Sequence, residues 1–127
     1  MGTAMRTTSS RLWTVIGIAL FVVTLKSAYA HHAIGAEYDT KKTIDLVGAI
    51  KELSFDNPHV FLRLQVDGKV WLVSLLSPAA LKNHGLSRSD LPIGATLAVT
   101  GFPHRLHDEV YAQRITINGK ATELAPR

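Results

Sequence analysis

From residue 43 onward, apolar and polar positions alternate in short runs broken by glycine, proline and asparagine. That period-two pattern predicts strands of a small β domain. The first run is Thr43 to Phe55, where Ile44, Leu46, Gly48 and Ile50 alternate before the apolar parity moves to Leu53 and Phe55. A one-residue change of phase predicts a bulge near Lys51-Glu52, and Gly48 would ease strong curvature. The next two runs, Val60 to Val66 and Lys69 to Leu76, flank Asp67-Gly68, a two-residue hairpin signal because both turn positions need positive φ. The turn sets Val66 against Lys69, Leu64 against Trp71, Leu62 against Val73 and Val60 against Leu75. One face of the hairpin is therefore core. The other presents His59, Phe61, Arg63 and Gln65 across from Leu76, Ser74, Leu72 and Val70.

Ser77 to Gly85 predicts a short helix: Ser77 can cap the free N–H groups, Pro78 fits the first helical position, and Gly85 suits a left-handed exit. A further single turn is expected over Ser87 to Asp90. Ala95 to Phe102 and Val110 to Ile117 read as two more strands joined by the loop Pro103 to Glu109. Asn118-Gly119 then turns the chain into a brief tail strand ending near Leu124. Three strands, a short helix and two strands is the order of a five-stranded Greek-key barrel of the OB type. A half-open β-sandwich is the second architecture compatible with these runs.

The amino-terminal third breaks the pattern. Arg6 and Arg11 precede an apolar run, Leu12 to Leu25, and Ala28-Tyr29-Ala30 follows, the order of a cleavable export signal. Fourteen helical residues reach about 21 Å, short of the roughly 30 Å hydrocarbon core, so no stable membrane span is expected after cleavage. Cleavage after Ala30 defines a signal peptide (1–30), a lead-in (31–42) and an OB-like domain (43–127), and it predicts a periplasmic protein.

Export alters the meaning of the charge. The chain holds 14 basic and 10 acidic residues, but Arg6, Arg11 and Lys26 belong to the leader, which leaves 11 against 10. No clustered basic surface points to nucleic acid. The chain has no cysteine, so an exported domain of this size must hold together by packing and hydrogen bonds alone.

Several short motifs span the expected mature chain: His31-His32-Ala33, Glu37-Tyr38-Asp39, Asn57-Pro58-His59-Val60, Ser77-Pro78 with Gly85, and Leu91-Pro92-Ile93-Gly94. In these the chain resembles a family of exported bacterial proteins catalogued only as a domain of unknown function. The resemblance implies a periplasmic OB-like domain and supplies no activity. Family members tend to carry an aromatic residue after the helix-ending glycine, where this chain has Leu86.

Three groups of residues are candidates for chemistry. His59, Phe61 and Arg63 share the non-core side of the second strand, the surface on which OB barrels take ligands, and a ring, a cation and an apolar floor suit stacking and charge contacts. His31, as a mature terminus, would offer its α-amine and ring nitrogen to one metal ion with His32 beside it, a nitrogen-rich set suited to Cu(II). His104 and His107 could complete such a site if the terminus folded over their loop. No nucleophile elbow, phosphate-cradling loop or H-E-x-x-H motif is present. The expected function is a non-enzymatic periplasmic binding or accessory domain for a small ligand or protein partner, with copper handling through His31-His32 as the alternative. Intact mass of exported protein should place His31 at the amino terminus; soluble uncleaved precursor in the cytosol would contradict the leader reading.

Overall fold

The computed structural model describes residues 34–125. The chain divides into two compact units, Met1–Ala36 and Glu37–Arg127. Residues 34–36 of the first are helical. The second contains β1 (Ile44–Phe55), β2 (Val60–Val66), β3 (Lys69–Ser74), the helix α1 (Pro78–Asn83), a single 3₁₀ turn (Arg88–Asp90), β4 (Thr96–Pro103), β5 (Glu109–Ile117) and β6 (Lys120–Glu123). Strand order is β3-β2-β1-β4-β5-β6, and a further parallel pairing of β3 with β5 closes the first five strands into a barrel. The protein is mainly β, with the closed Greek-key barrel and the helix between its third and fourth strands.

The hairpin has the expected register: Leu62 faces Val73, Leu64 faces Trp71 and Val66 faces Lys69. Asp67 and Gly68 both adopt positive φ, 45° and 80°, as a type I′ turn requires. The predicted break in β1 is present too, as its register against β2 shifts between Ile50 and Glu52. A second break lies between Thr100 and Gly101 on the β4–β5 pair. It moves the inward set of β5 from Val110 and Ala112 to Ile115 and Ile117, all four buried. The irregular backbone there is used, since the Gln113 carbonyl accepts Leu124 N–H at 2.8 Å and Ala125 N–H at 3.2 Å.

The barrel interior holds Leu46, Ile50, Val60, Leu62, Leu64, Val73, Leu97, Val99, Val110 and Ile115. Leu81, Leu86 and Leu91 join the same cluster from the segment between β3 and β4. That segment is shaped by its caps. The Ser77 hydroxyl accepts Ala80 N–H at 3.2 Å. At the far end Gly85 N–H reaches Lys82 O and Leu86 N–H reaches Leu81 O, both at 2.9 Å. These paired bonds around a left-handed glycine bring Leu86 onto Leu81, the hydrophobic contact that usually completes this ending. Leu86, in the position where the family resemblance places an aromatic, is therefore a core residue at 3 % exposure.

Two glycines are required by close approach of strands. A β-carbon on Gly48 would lie 2.1 Å from the Gln65 carbonyl oxygen of β2, and one on Gly101 would lie 2.2 Å from the Tyr111 oxygen of β5. Gly48 thus serves strand contact as well as curvature. Gly48→Ala should cost about 2–3 kcal/mol, because backbone rather than a flexible side chain must yield. Urea denaturation at neutral pH measures this, and a loss below about 0.5 kcal/mol would mean the strands part freely there.

Candidate functional site

Between its inner and outer faces, β2 alternates as its sequence demands. Val60, Leu62 and Leu64 are buried, whereas Phe61 is half-buried and His59 and Arg63 are exposed. The His59 ring meets Phe61 edge-on, with centroids 6.4 Å apart. Beside them, β1 presents Glu52, whose Oε2 accepts the Arg63 Nε–H at 3.1 Å. Both members of this ion pair are largely solvated. With Ser54 and Leu72 these groups line a shallow depression of about 170 Å³ on the outer wall. The structure therefore brings Phe61 and Arg63 together over an apolar floor, and adds Glu52 and Ser54, which their sequence position on another strand concealed. His59 stands beside the depression and does not line it.

The outer face is covered where β3 meets β5. Tyr38, in the lead-in, bridges to His104, while Asp39 N–H donates to Pro103 O at 2.9 Å. Tyr38 is 6 % exposed. Its ring contacts His104 edge-on at 5.2 Å and Tyr111 at 5.5 Å, and its hydroxyl donates to the Glu109 carboxylate. Ser74, on the hairpin's outer face, is buried at 5 % beside it. Burial first, and then the bond to Glu109, hold the Tyr38 phenol well above the ordinary tyrosine range. Burial alone raises Tyr111. The lead-in's next turn is tied by Asp39, whose carboxylate accepts Lys41 N–H at 3.2 Å and faces Lys42 Nζ at 3.5 Å. Chiefly because of the Lys41 bond, that carboxyl lies below its ordinary range.

His104 and His107 meet in the β4–β5 loop, their rings stacked at 4.6 Å. His104 Nδ1 accepts the Leu106 N–H at 3.0 Å and the His107 N–H at 3.2 Å. Its proton therefore sits on Nε2 when the ring is neutral. Among the described residues no three His, Asp or Glu side chains are grouped as a metal ion would need. His31 and His32 lie outside the described residues.

A model of a family of unknown function, DUF6152, matches residues 19–115. The chain belongs to that family. The short motifs singled out in the sequence occupy structural joints: Glu37-Tyr38-Asp39 forms the covering strap, Asn57-Pro58 turns β1 into β2 through a cis peptide, and Ser77, Pro78 and Gly85 cap α1. In Leu91-Pro92-Ile93-Gly94, Leu91 is buried and Gly94 N–H donates to Ile50 O at 2.8 Å. Among curated proteins nothing matches the chain. Solved structures of TiaS are similar to part of it. The complex of TiaS with tRNA, AMPCPP and agmatine gives a TM-score of 0.49 at 19 % identity, covering 60 % of this chain and 18 % of that one. Apo TiaS, described as a tRNA agmatidine synthetase, gives 0.47 at 21 % identity over 66 % and 19 %. The chain thus spans about a fifth of the length of these two proteins.

The raised Tyr38 phenol predicts a pH response. A group whose pKa is higher in the folded than in the unfolded chain contributes its full stability below the unfolded value, about 10, and loses it as pH climbs beyond. The denaturation midpoint should therefore decline above about pH 10. Tyr38→Phe should cost about 1 kcal/mol at neutral pH and make that alkaline decline shallower. A wild-type-minus-variant difference that stays constant up to about pH 11 would contradict this account.

Proposed function

We propose that this protein is an exported, periplasmic binding domain, not an enzyme, whose outer β1–β2–β3 wall takes a small ligand with a flat apolar body and both charges. The observation that carries the reading is the composition of the depression: a half-buried Phe61 ring and Leu72 side chain next to a solvated Arg63–Glu52 pair. A ring can lie against Phe61 and Leu72, a ligand carboxylate can take the Arg63 guanidinium, and a ligand ammonium can take Glu52. Each new contact exchanges an exposed ion pair of small worth for one partly shielded by the ligand's own body. The barrel supplies rigidity, because the side chains project from paired strands rather than from loops. Export is supported by the leader composition, with its basic start, apolar run and Ala28-Tyr29-Ala30.

The test is a titration of ¹⁵N-labelled protein with L-phenylalanine, phenylacetate and phenethylammonium, followed by amide shifts. The zwitterion should bind most tightly, with shifts centred on Ser54, Phe61, Arg63 and Leu72. Arg63→Ala and Glu52→Gln should each weaken it about threefold, the scale of one exposed ion pair. Shifts centred elsewhere, or no preference among the three probes, would overturn the assignment.

A further inference from the structure

A second concave surface lies beyond the end of β1, sharing no lining residue with the depression just described. Phe55, Pro78, Ala79 and Leu86 form an apolar groove of about 290 Å³, bordered by Lys82 and Ser87. Its shape follows from the capped helix. Pro78 starts α1 on the groove wall, and the left-handed ending at Gly85 folds Leu86 back beneath it.

The charged side chain that lines this groove is a cation. Lys82 stands in the last turn of α1, exposed, and forms no ion pair among the described residues. The Arg88 guanidinium lies 5.9 Å from the Phe55 ring centroid, a cation held at the apolar wall by the ring's electrons. The carboxylates of the adjoining segments do not line the groove and are turned to donors of their own. Asp90 accepts both the N–H and the hydroxyl of Ser87, each at 2.7 Å, and those bonds hold its carboxyl below the usual range. Asp56 accepts the Ser54 hydroxyl at 3.1 Å. An apolar trough bordered by Lys82, with the Arg88 guanidinium against its Phe55 ring and neither cation paired to a carboxylate among the described residues, is complementary to an apolar chain that ends in an anion.

We infer that the groove formed by Phe55, Pro78, Ala79 and Leu86 binds an anionic amphiphile, its chain along the apolar floor and its carboxylate between Lys82 and Arg88. Burying chain methylenes provides the affinity, and the two cations decide which head group is accepted. The site opens to solvent along its length, which suits reversible pick-up and release of a chain rather than its enclosure.

Decanoate, decyltrimethylammonium and 1-decanol, each kept below its aggregation threshold, are the probes. Amide shifts of Phe55, Ala79, Lys82 and Leu86 should saturate with decanoate, more weakly with decanol, and least with the cation. Lys82→Ala and Arg88→Ala should each loosen decanoate about threefold. Both side chains are exposed, so the fold survives their removal. Ala79→Glu, also at an exposed position, should abolish binding by placing a like charge on the wall. Equal binding of decanoate and decyltrimethylammonium would overturn the inference. So would decanoate shifts centred on Phe61 and Arg63. Concentration-dependent dimerisation that perturbs Phe55 and Leu86 without added probe would assign the groove to a second copy of the chain and overturn it likewise.

Discussion

The fold depends on a three-residue parallel ladder between β3 and β5. Leu72, Val73 and Ser74 pair there with Glu109, Val110 and Tyr111, helped by Leu72 N–H donating to Asp108 O at 2.9 Å. Every other strand pairing among the described residues is antiparallel. Those contacts alone would leave an open sheet with Val73 and Val110 at unprotected margins. Closure turns one apolar face inward and removes two strand edges at once. Curvature for closing so few strands enters at the two register breaks, and at Gly48 and Gly101 neighbouring backbones lie too close for any β-carbon. With no cysteine to fasten it, the seam is held by hydrogen bonds and by what lies over it.

What lies over it is Tyr38. Its ring packs beside Tyr111 and Ser74, the outward pair of the closing ladder, and its hydroxyl ends on Glu109 at the start of β5. One side chain thus shields the shortest strand pairing of the barrel. Ser74 on β3 is covered, while Phe61, its partner across the hairpin, and the Arg63–Leu72 row stay accessible.

Much of the barrel is legible in the sequence because its signals are local. Asp67-Gly68 permits a single register for β2 and β3, and the parity change from Ile50 to Leu53 marks a bulge that the structure contains. A similar parity change, from Val110 and Ala112 to Ile115 and Ile117, escapes a reading of Val110 to Ile117 as one uninterrupted strand. The closing ladder has no local signature, since parallel partners far apart in sequence share no turn. Tyr38 is hidden for a related reason: its partner Glu109 is 71 positions away, and a lone aromatic in a polar lead-in carries no periodicity. Of the candidate site, Phe61 and Arg63 can be placed on one face by alternation. Glu52 cannot, because the bulge decides which way its side chain points.

Among the described strands, β6 alone has a single neighbour. It is four residues long and mostly polar, with Lys120 and Glu123 at its ends and Arg114 of β5 paired to Glu123. A short margin studded with charge is a poor template for stacking chains into fibrils. Growth of an intermolecular sheet from β6 is therefore disfavoured, although no disulfide secures the barrel.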